Sequence, residues 1–314
     1  MTKPTLNHAP VLHAEVLAEL RIQPDGLYID GTYGRGGHAK SILSQLGEQG
    51  RLIVMDKDPE AIRSAQNALG DDHRVTILHD DYAQMSARLA ELGLNEKIDG
   101  VLLDLGVSSP QLDDASRGFS FQKKGPLDMR MNPEKGESAA EWLSHAAEKE
   151  IARVLWEFGE ERFSRRIARK IVETRDSQAL EDTAGLSALI ASCVPQRDLK
   201  KHPATRSFQA IRIHINHELD QVTQLLESIF EVLKVGGRLL IISFHSLEDR
   251  LVKRFFKAQS SAPKIPRGLP IRESQLTSNI RLKLIGKAIK AGAAELATNP
   301  RARSAVLRVA ERTS

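Results

Sequence analysis

A single cysteine, Cys193, among 314 residues leaves no partner for an internal disulfide, and such a chain suits a reducing cytosol. No apolar run approaches the ~18–20 residues that a membrane-spanning helix needs, so no membrane partner is expected. Met1–Pro10 lacks the basic segment and apolar core of a secretory leader, and a cytoplasmic location is the expectation. There is no G-x-S-x-G elbow for a serine hydrolase. His245 and Glu248 have no second His at helical spacing, so no metal is expected. Acid is scarce at one end of the chain. From Arg250 to Ser314 there are fifteen Lys or Arg against three Glu and no Asp, so this stretch carries +12 and the rest −8 of the net +4. A basic lobe suits a polyanion whose counterions it can release, although a solvated surface beside an acidic lobe reads the same way.

With 41% hydrophobic and 27% charged residues the composition is that of an ordinary globular protein, and the length fits an α/β domain of ~200 residues plus ~100 more. Residues 11–20 place Val11, Leu12, Val16, Leu17 and Leu20 at helical spacing. Short apolar runs at 27–30, 51–56, 75–78 and 98–104 predict four strands, with helices over 38–46 and 59–69 between them. From Ser109 to Arg212 no comparable strand appears. Charged helical windows such as 138–158 and 160–173 predict an inserted helical domain at 109–212 for substrate recognition, leaving 1–108 and 213–314 as one discontinuous domain. A helix near 219–233 and a strand at 236–243 resume the pattern, and the runs 281–289 and 305–310 predict a closing antiparallel pair. The fold class is α/β, a doubly wound, Rossmann-like sheet of the class I kind used by methyltransferases dependent on S-adenosyl-L-methionine (SAM).

Asp30-Gly-Thr-Tyr-Gly-Arg-Gly-Gly-His38 leaves the first strand where such a sheet binds its ligand, and its glycines let backbone approach a cofactor closely. Asp30 could attract the methionine ammonium of SAM, with Gly34 in the turn. Asp56 ends the second strand, where it can accept both ribose hydroxyls. Asp58 before Pro59 suits a helix cap instead, and Tyr82 after the third strand could lie against adenine. Gly34-Arg-Gly-Gly-His-Ala39 with Asp56 about 20 residues on also satisfies a dinucleotide pattern, so a nicotinamide-dependent dehydrogenase is the alternative. A non-catalytic ribosome-assembly RNA binder is a third reading.

Long motifs now accumulate: Asp30–His38, Leu103-Asp-Leu-Gly-Val-Ser-Ser-Pro-Gln-Leu112, Arg117-Gly-Phe-Ser-Phe121, Leu127-Asp-Met-Arg-Met131, His202-Pro-Ala-Thr-Arg206 and Ser243-Phe-His-Ser-Leu-Glu-Asp-Arg250. Together they resemble the bacterial rRNA small-subunit methyltransferase H (MraW) family nearly end to end. The resemblance implies SAM-dependent N4-methylation of a decoding-centre cytidine in 16S rRNA of the small ribosomal subunit. It also implies cofactor contacts at Gly36, Gly37, His38, Asp56, Tyr82, Asp104 and Gln111. Tyr82 stands where Phe is expected in relatives, which keeps the ring. A homodimer is left open.

Methyl transfer to an amine needs in-line alignment and an acceptor for the amine proton, but no metal. Asp104 with Ser109, after the fourth strand, can offer that acceptor; a cofactor contact, a helix cap or a turn are the plainer roles. His245 can stand near the flipped base, unless the segment only starts a helix capped by Ser246. Arg130, Lys200, Lys201 and Arg206 join His245 as the expected substrate-binding residues. Arg162, Arg165, Arg166 and Arg169 on one predicted helix could meet phosphates or simply water. Carbon-5 methylation would need a cysteine nucleophile. Cys193, in the apolar stretch 186–194, is placed for packing.

Overall fold

A computed structural model describes residues 10–195, 202–261 and 280–314. α1 (His13–Leu20) leads into β1 (Leu27–Asp30), α2 (Gly37–Leu43), β2 (Arg51–Asp56), α3 (Pro59–Leu69), β3 (Val75–His79), α4 (Met85–Glu91) and β4 (Ile98–Asp104). A run of helices follows: α5 (Ser109–Asp113), α6 (Ala139–His145), α7 (Glu148–Gly159), α8 (Ser164–Arg175), α9 (Thr183–Cys193) and α10 (Ala204–Ile215). Then come α11 (Glu218–Val232), β5 (Leu233–Ser243), α12 (Ser246–Gln259), β6 (Leu282–Leu284), α13 (Ala293–Thr298) and β7 (Val306–Arg312). The chain forms two compact units, one of residues up to Gly106 and from Leu219 on, the other Val107–Glu218; the sequence analysis drew these borders at 108/109 and 212/213. No helix among the described residues is long and apolar enough to cross a membrane.

The first unit is a seven-stranded sheet in the order β3-β2-β1-β4-β5-β7-β6, with β1 to β5 parallel and β7 antiparallel to both neighbours. This is the doubly wound sheet with a closing antiparallel pair that the apolar runs predicted. Its strands are buried on both faces. Ile29, Ile53, Val101, Leu103, Leu239 and Ile241 pack into one core, and Tyr28, Leu52, Val54, Leu102, Leu240 and Ile242 into the other. Strands covered on both sides read as continuous apolar runs rather than alternating ones. β5 starts three residues earlier than Gly236. Leu233 already pairs with Ile98, after which the register shifts so that Arg238 faces Gly100. The bulge depends on the glycine pair, because Gly236 is at φ +84° and a Cβ on Gly237 would lie 2.6 Å from the Ile98 carbonyl oxygen. Asp58 caps α3 as expected, accepting the Glu60 N–H at 2.9 Å with Pro59 at the first position.

The basic C-terminal stretch is only partly a free cationic surface. Arg308 holds Asp249 through two bonds (2.7 and 3.1 Å), and Arg281 stacks over the Phe230 ring at 3.5 Å. Buried Arg312 donates to the Phe230 and Leu233 carbonyls and, at 3.0 Å, to Glu96. The expected loop at 260–270 lies almost wholly outside the described residues.

The second unit closes on its own core, which includes Trp142, Leu155, Ile167, Ile190, Phe208 and Ile211. Cys193 belongs to that core at 3% exposure. The window 138–158 is two helices, not one. Arg175, thirty residues on, donates to the Leu143 and Ala146 carbonyls (2.8 and 2.7 Å) and so closes the end of α6 from outside. Asn216 fixes the loop of the Leu127–Met131 motif. Its amide donates to the Met129 carbonyl and its oxygen accepts from the Met131 N–H, both at 2.7 Å.

Candidate cofactor and catalytic site

The winding of the sheet reverses between β1 and β4, and a doubly wound sheet binds ligands beyond the carboxyl ends of the strands at that point. Asp30 ends β1 and Asp104 ends β4. After Asp30 the Gly31 N–H donates to the Leu102 carbonyl (2.9 Å), and the Thr32 hydroxyl accepts the Asp104 N–H at 2.6 Å. The glycine loop is thereby tied to the end of β4. Thr32 was not singled out in the sequence; its only signal was a place inside the loop motif.

Asp56, one strand over, accepts from the Gly34 N–H (2.8 Å) and the Asp58 N–H (2.9 Å), one on each oxygen. These two bonds orient the carboxylate against the loop and leave it lone pairs for a diol. Gly36 has φ +74°, and a Cβ there would meet the Tyr33 hydroxyl at 2.4 Å, so the cradle needs glycine. Gly37 opens α2 against Pro10, where a Cβ would come within 2.9 Å. Tyr82 opens the turn after β3 with its ring in the sheet core, and Asp81 caps that turn by accepting the Ala83 N–H at 2.9 Å.

Charge here is held in unfavourable places. Burial pushes the Asp30 carboxyl up to about 7, and the charge of Asp56 adds to it. Burial, with Asp30 and Glu248 nearby, pushes Asp104 up to about 8. Asp56 is raised too, again mainly by burial. Asp104 keeps 27% of its side chain open, yet its Oδ1 is sealed off without a hydrogen-bond partner among the described residues. Its Oδ2 lies 4.0 Å from Nε2 of His38, a buried ring whose two nitrogens also have no partner there. Burial and the neighbouring His13 push His38 down to about 4, so its ring is neutral at physiological pH. Carboxyls that resist ionisation alone ionise readily beside a cation. The donor set therefore fits SAM, with a positive ammonium and sulfonium for Asp30 and Asp104 and a ribose diol for Asp56.

His245 starts α12 rather than standing in a loop. The Glu248 N–H donates to its Nδ1 (3.4 Å), while the Phe244 and His245 N–H groups donate to Glu248 Oε2 (2.9 and 3.4 Å). This capping box starts the helix from His245 rather than from Ser246, and it accounts for the crowd of Ser, His and acid without a hydrolase triad. Glu248, 1% exposed, is a site-wall residue that the sequence showed only as half of a metal pair.

The remaining expected residues lie in the helical unit. Ser109 is the first residue of α5, and buried Gln111 accepts the Ser108 N–H at 2.8 Å, closing the start of that helix. Arg130 grips Asp128 through two bonds (2.8 and 2.7 Å) and the Gly136 carbonyl through a third (3.0 Å), so its guanidinium braces its own loop. Arg206 is exposed, with one bond to the Glu160 carbonyl at 3.3 Å. Lys200 and Lys201 lie outside the described residues.

Comparison with known proteins agrees with this arrangement. The ribosomal RNA small subunit methyltransferase H of Thioalkalivibrio sulfidiphilus is 56% identical over 310 residues, covering 99% of this chain and 98% of the relative. The protein of the same name from Pseudoalteromonas atlantica is 55% identical over 306 residues, covering 98% of each. Among solved structures, an rRNA methylase from Streptococcus thermophilus covers 97% of this chain and 98% of its own at 11% identity, with a TM-score of 0.40, too loose a likeness to carry an argument. The nicotinamide-dehydrogenase alternative falls with these matches. Residues 5–313 match the MraW methylase family, and the chain belongs to that family.

Proposed function

We propose that this methyltransferase moves the methyl group of SAM onto the exocyclic N4 of a decoding-centre cytidine in 16S rRNA of the small ribosomal subunit, in the cytoplasm. The rRNA substrate follows from relatives named for it at 55–56% identity. One observation supports the amine: Asp104 presents a half-buried carboxyl at the ligand end of the sheet, one oxygen of it sealed and without a partner among the described residues, and the single cysteine is packed in the helical core. A non-catalytic binder would gain nothing from keeping such a group.

SAM supplies an electrophilic methyl group on a sulfonium. Asp30 and Asp56 hold the cofactor's ammonium and ribose, and Gly36 and Gly37 let the backbone come close. Tyr82 would lie against the adenine. The cytosine amine is a weak nucleophile because its lone pair is delocalised into the ring. With the cofactor bound, Asp104 would accept a hydrogen bond from the amine and localise that lone pair; as the N–CH3 bond forms and the S–CH3 bond breaks to leave a neutral thioether, it would take the amine proton. Neutral His38 beside Asp104 adds no competing positive charge. Ser109 and His245 would position the base, and Arg206 with the lysine pair at 200–201 the phosphates.

The test is transfer of labelled methyl from SAM to unmodified small subunits and to free 16S rRNA. Label in either RNA supports the reading; label in neither, with SAM bound, removes it.

A further inference from the structure

Trp156 is 59% exposed near the end of α7. One exposed aromatic asks for no explanation by itself. Its surroundings do. The turn after α7 and the outer face of α8 carry Arg162, Arg165, Arg166 and Arg169, all exposed and none in an ion pair or hydrogen bond with a described residue. Their spacing puts them on one side of α8, opposite buried Ile167, Ala168 and Ile171. Arg206 reaches the same end of α7 from α10 and touches the Glu160 carbonyl one turn beyond Trp156. The backbones meet closely there, since a Cβ on Gly159 would lie 2.7 Å from the Arg206 carbonyl oxygen. Residues 153–170 hold six cations against three carboxylates. Of those carboxylates, Glu157 is paired with Arg153 at 2.7 Å, and buried Glu161 accepts the Phe163 N–H at 2.9 Å.

An exposed indole at the end of one helix, followed across a short turn by exposed guanidinium groups with no partner among the described residues, has the chemistry of a stacking platform for an unpaired base with its phosphates held alongside. A protein partner would favour buried apolar neighbours around the indole. Here the exposed surface beyond the α7–α8 turn is dominated by Arg162, Arg165, Arg166 and Arg169, which want counter-charge. We infer that the α7–α8 end of the helical unit is a second RNA contact, in which Trp156 stacks a base outside the methylated nucleotide and Arg162, Arg165 and Arg166 hold phosphates. This rests on the rRNA reading and adds a residue that no catalytic step needs.

Tryptophan fluorescence reads the contact directly, because the other tryptophan, Trp142, is buried at 2% exposure. Titrating the full-length protein with a short single-stranded RNA oligonucleotide should quench the Trp156 signal. Trp156→Ala should lower affinity by about five- to a hundredfold, the range for one lost base stack, with Trp156→Phe intermediate. Arg165→Ala with Arg166→Ala should flatten the log-affinity against log-salt slope by about 1.4. RNA bound with unchanged fluorescence, and with equal affinity in Trp156→Ala, overturns the contact and leaves the rRNA reading standing. Absence of any RNA binding by the wild type overturns both. If Trp156→Ala changes sedimentation but not RNA affinity, this face belongs to a second copy of the chain and the inference is wrong.

Discussion

At the strand ends of the sheet unit, titratable groups are held inside: Asp30, 1% exposed, accepts only backbone bonds such as that from the Thr32 N–H at 3.2 Å, and one oxygen of Asp104 has no hydrogen-bond partner among the described residues. The helical unit does the reverse. Its buried charges are matched, Arg117 by the Arg130 and Met131 carbonyls, Glu161 by the Phe163 N–H and Glu218 by Arg212, while its unmatched cations stand in water along α8. A buried charge without a partner destabilises a fold, so a protein keeps one where a ligand completes it. Unmatched surface cations are cheap and serve long-range attraction instead. On the proposed reading, chemistry belongs to the first unit and capture of the polyanion to the second.

The largest effect should come from removing the partner-short carboxylate. Asp104→Ala should cost roughly a hundredfold or more in kcat, as for other lost transition-state contacts, and near-normal turnover would erase the contrast between the units. Asp56→Ala comes next. Loss of a charge-assisted bond of ~1.5–3 kcal/mol should weaken SAM about 10- to 150-fold by calorimetry. Unchanged binding would move the ribose elsewhere.

A smaller effect should follow pH. Asp30 and Asp104 titrate near 7 and 8 in the free protein, and a cationic cofactor favours their charged forms. SAM affinity should therefore rise from about pH 6 to about pH 8, by at most about tenfold per unit for each proton displaced, with proton release seen by calorimetry in two buffers. A flat profile would mean that the carboxylates do not face the cofactor's charge. Stability of the free protein should run the other way. Both folded pKa values lie above the ordinary 3.8, so the stability of the protonated forms is lost as pH rises toward 7–8. His38, lowered to about 4, removes stability as pH falls below its ordinary 6.5. Asp104→Asn should raise Tm most at about pH 8 and little at about pH 5. The smallest effect is expected from Cys193→Ser, a core substitution in the helical unit that should keep most activity.

Much of the sheet was legible because β1, β2 and β4 are short apolar runs that each end in an Asp. The start of β5 was not, because the glycine pair that permits its bulge looks like a boundary. The break between α6 and α7 has no local signal: it is closed by Arg175, far along the chain. Of the candidate site, Asp30, the glycines, Asp56 and Asp104 could be read from their places at strand ends. Thr32 could not, since its contribution is a hydrogen bond made across the fold, and Glu248 could not because its capping box starts on a His rather than on the usual Ser or Thr. Net charge was a weaker guide. The basic tail promised the most cations, yet Arg281, Arg308 and Arg312 are engaged within their own unit, whereas Arg165, Arg166 and Arg169 of α8, easily dismissed as a solvated face, have no partner among the described residues.

The central claim is tested most directly by digesting 16S rRNA, after reaction of unmodified small subunits with the wild-type protein and SAM, and identifying the methylated nucleoside by mass spectrometry. N4-methylcytidine, still formed by Cys193→Ser and lost in Asp104→Ala, is the predicted result. 5-Methylcytidine, or turnover abolished by Cys193→Ser with SAM binding intact, would contradict it.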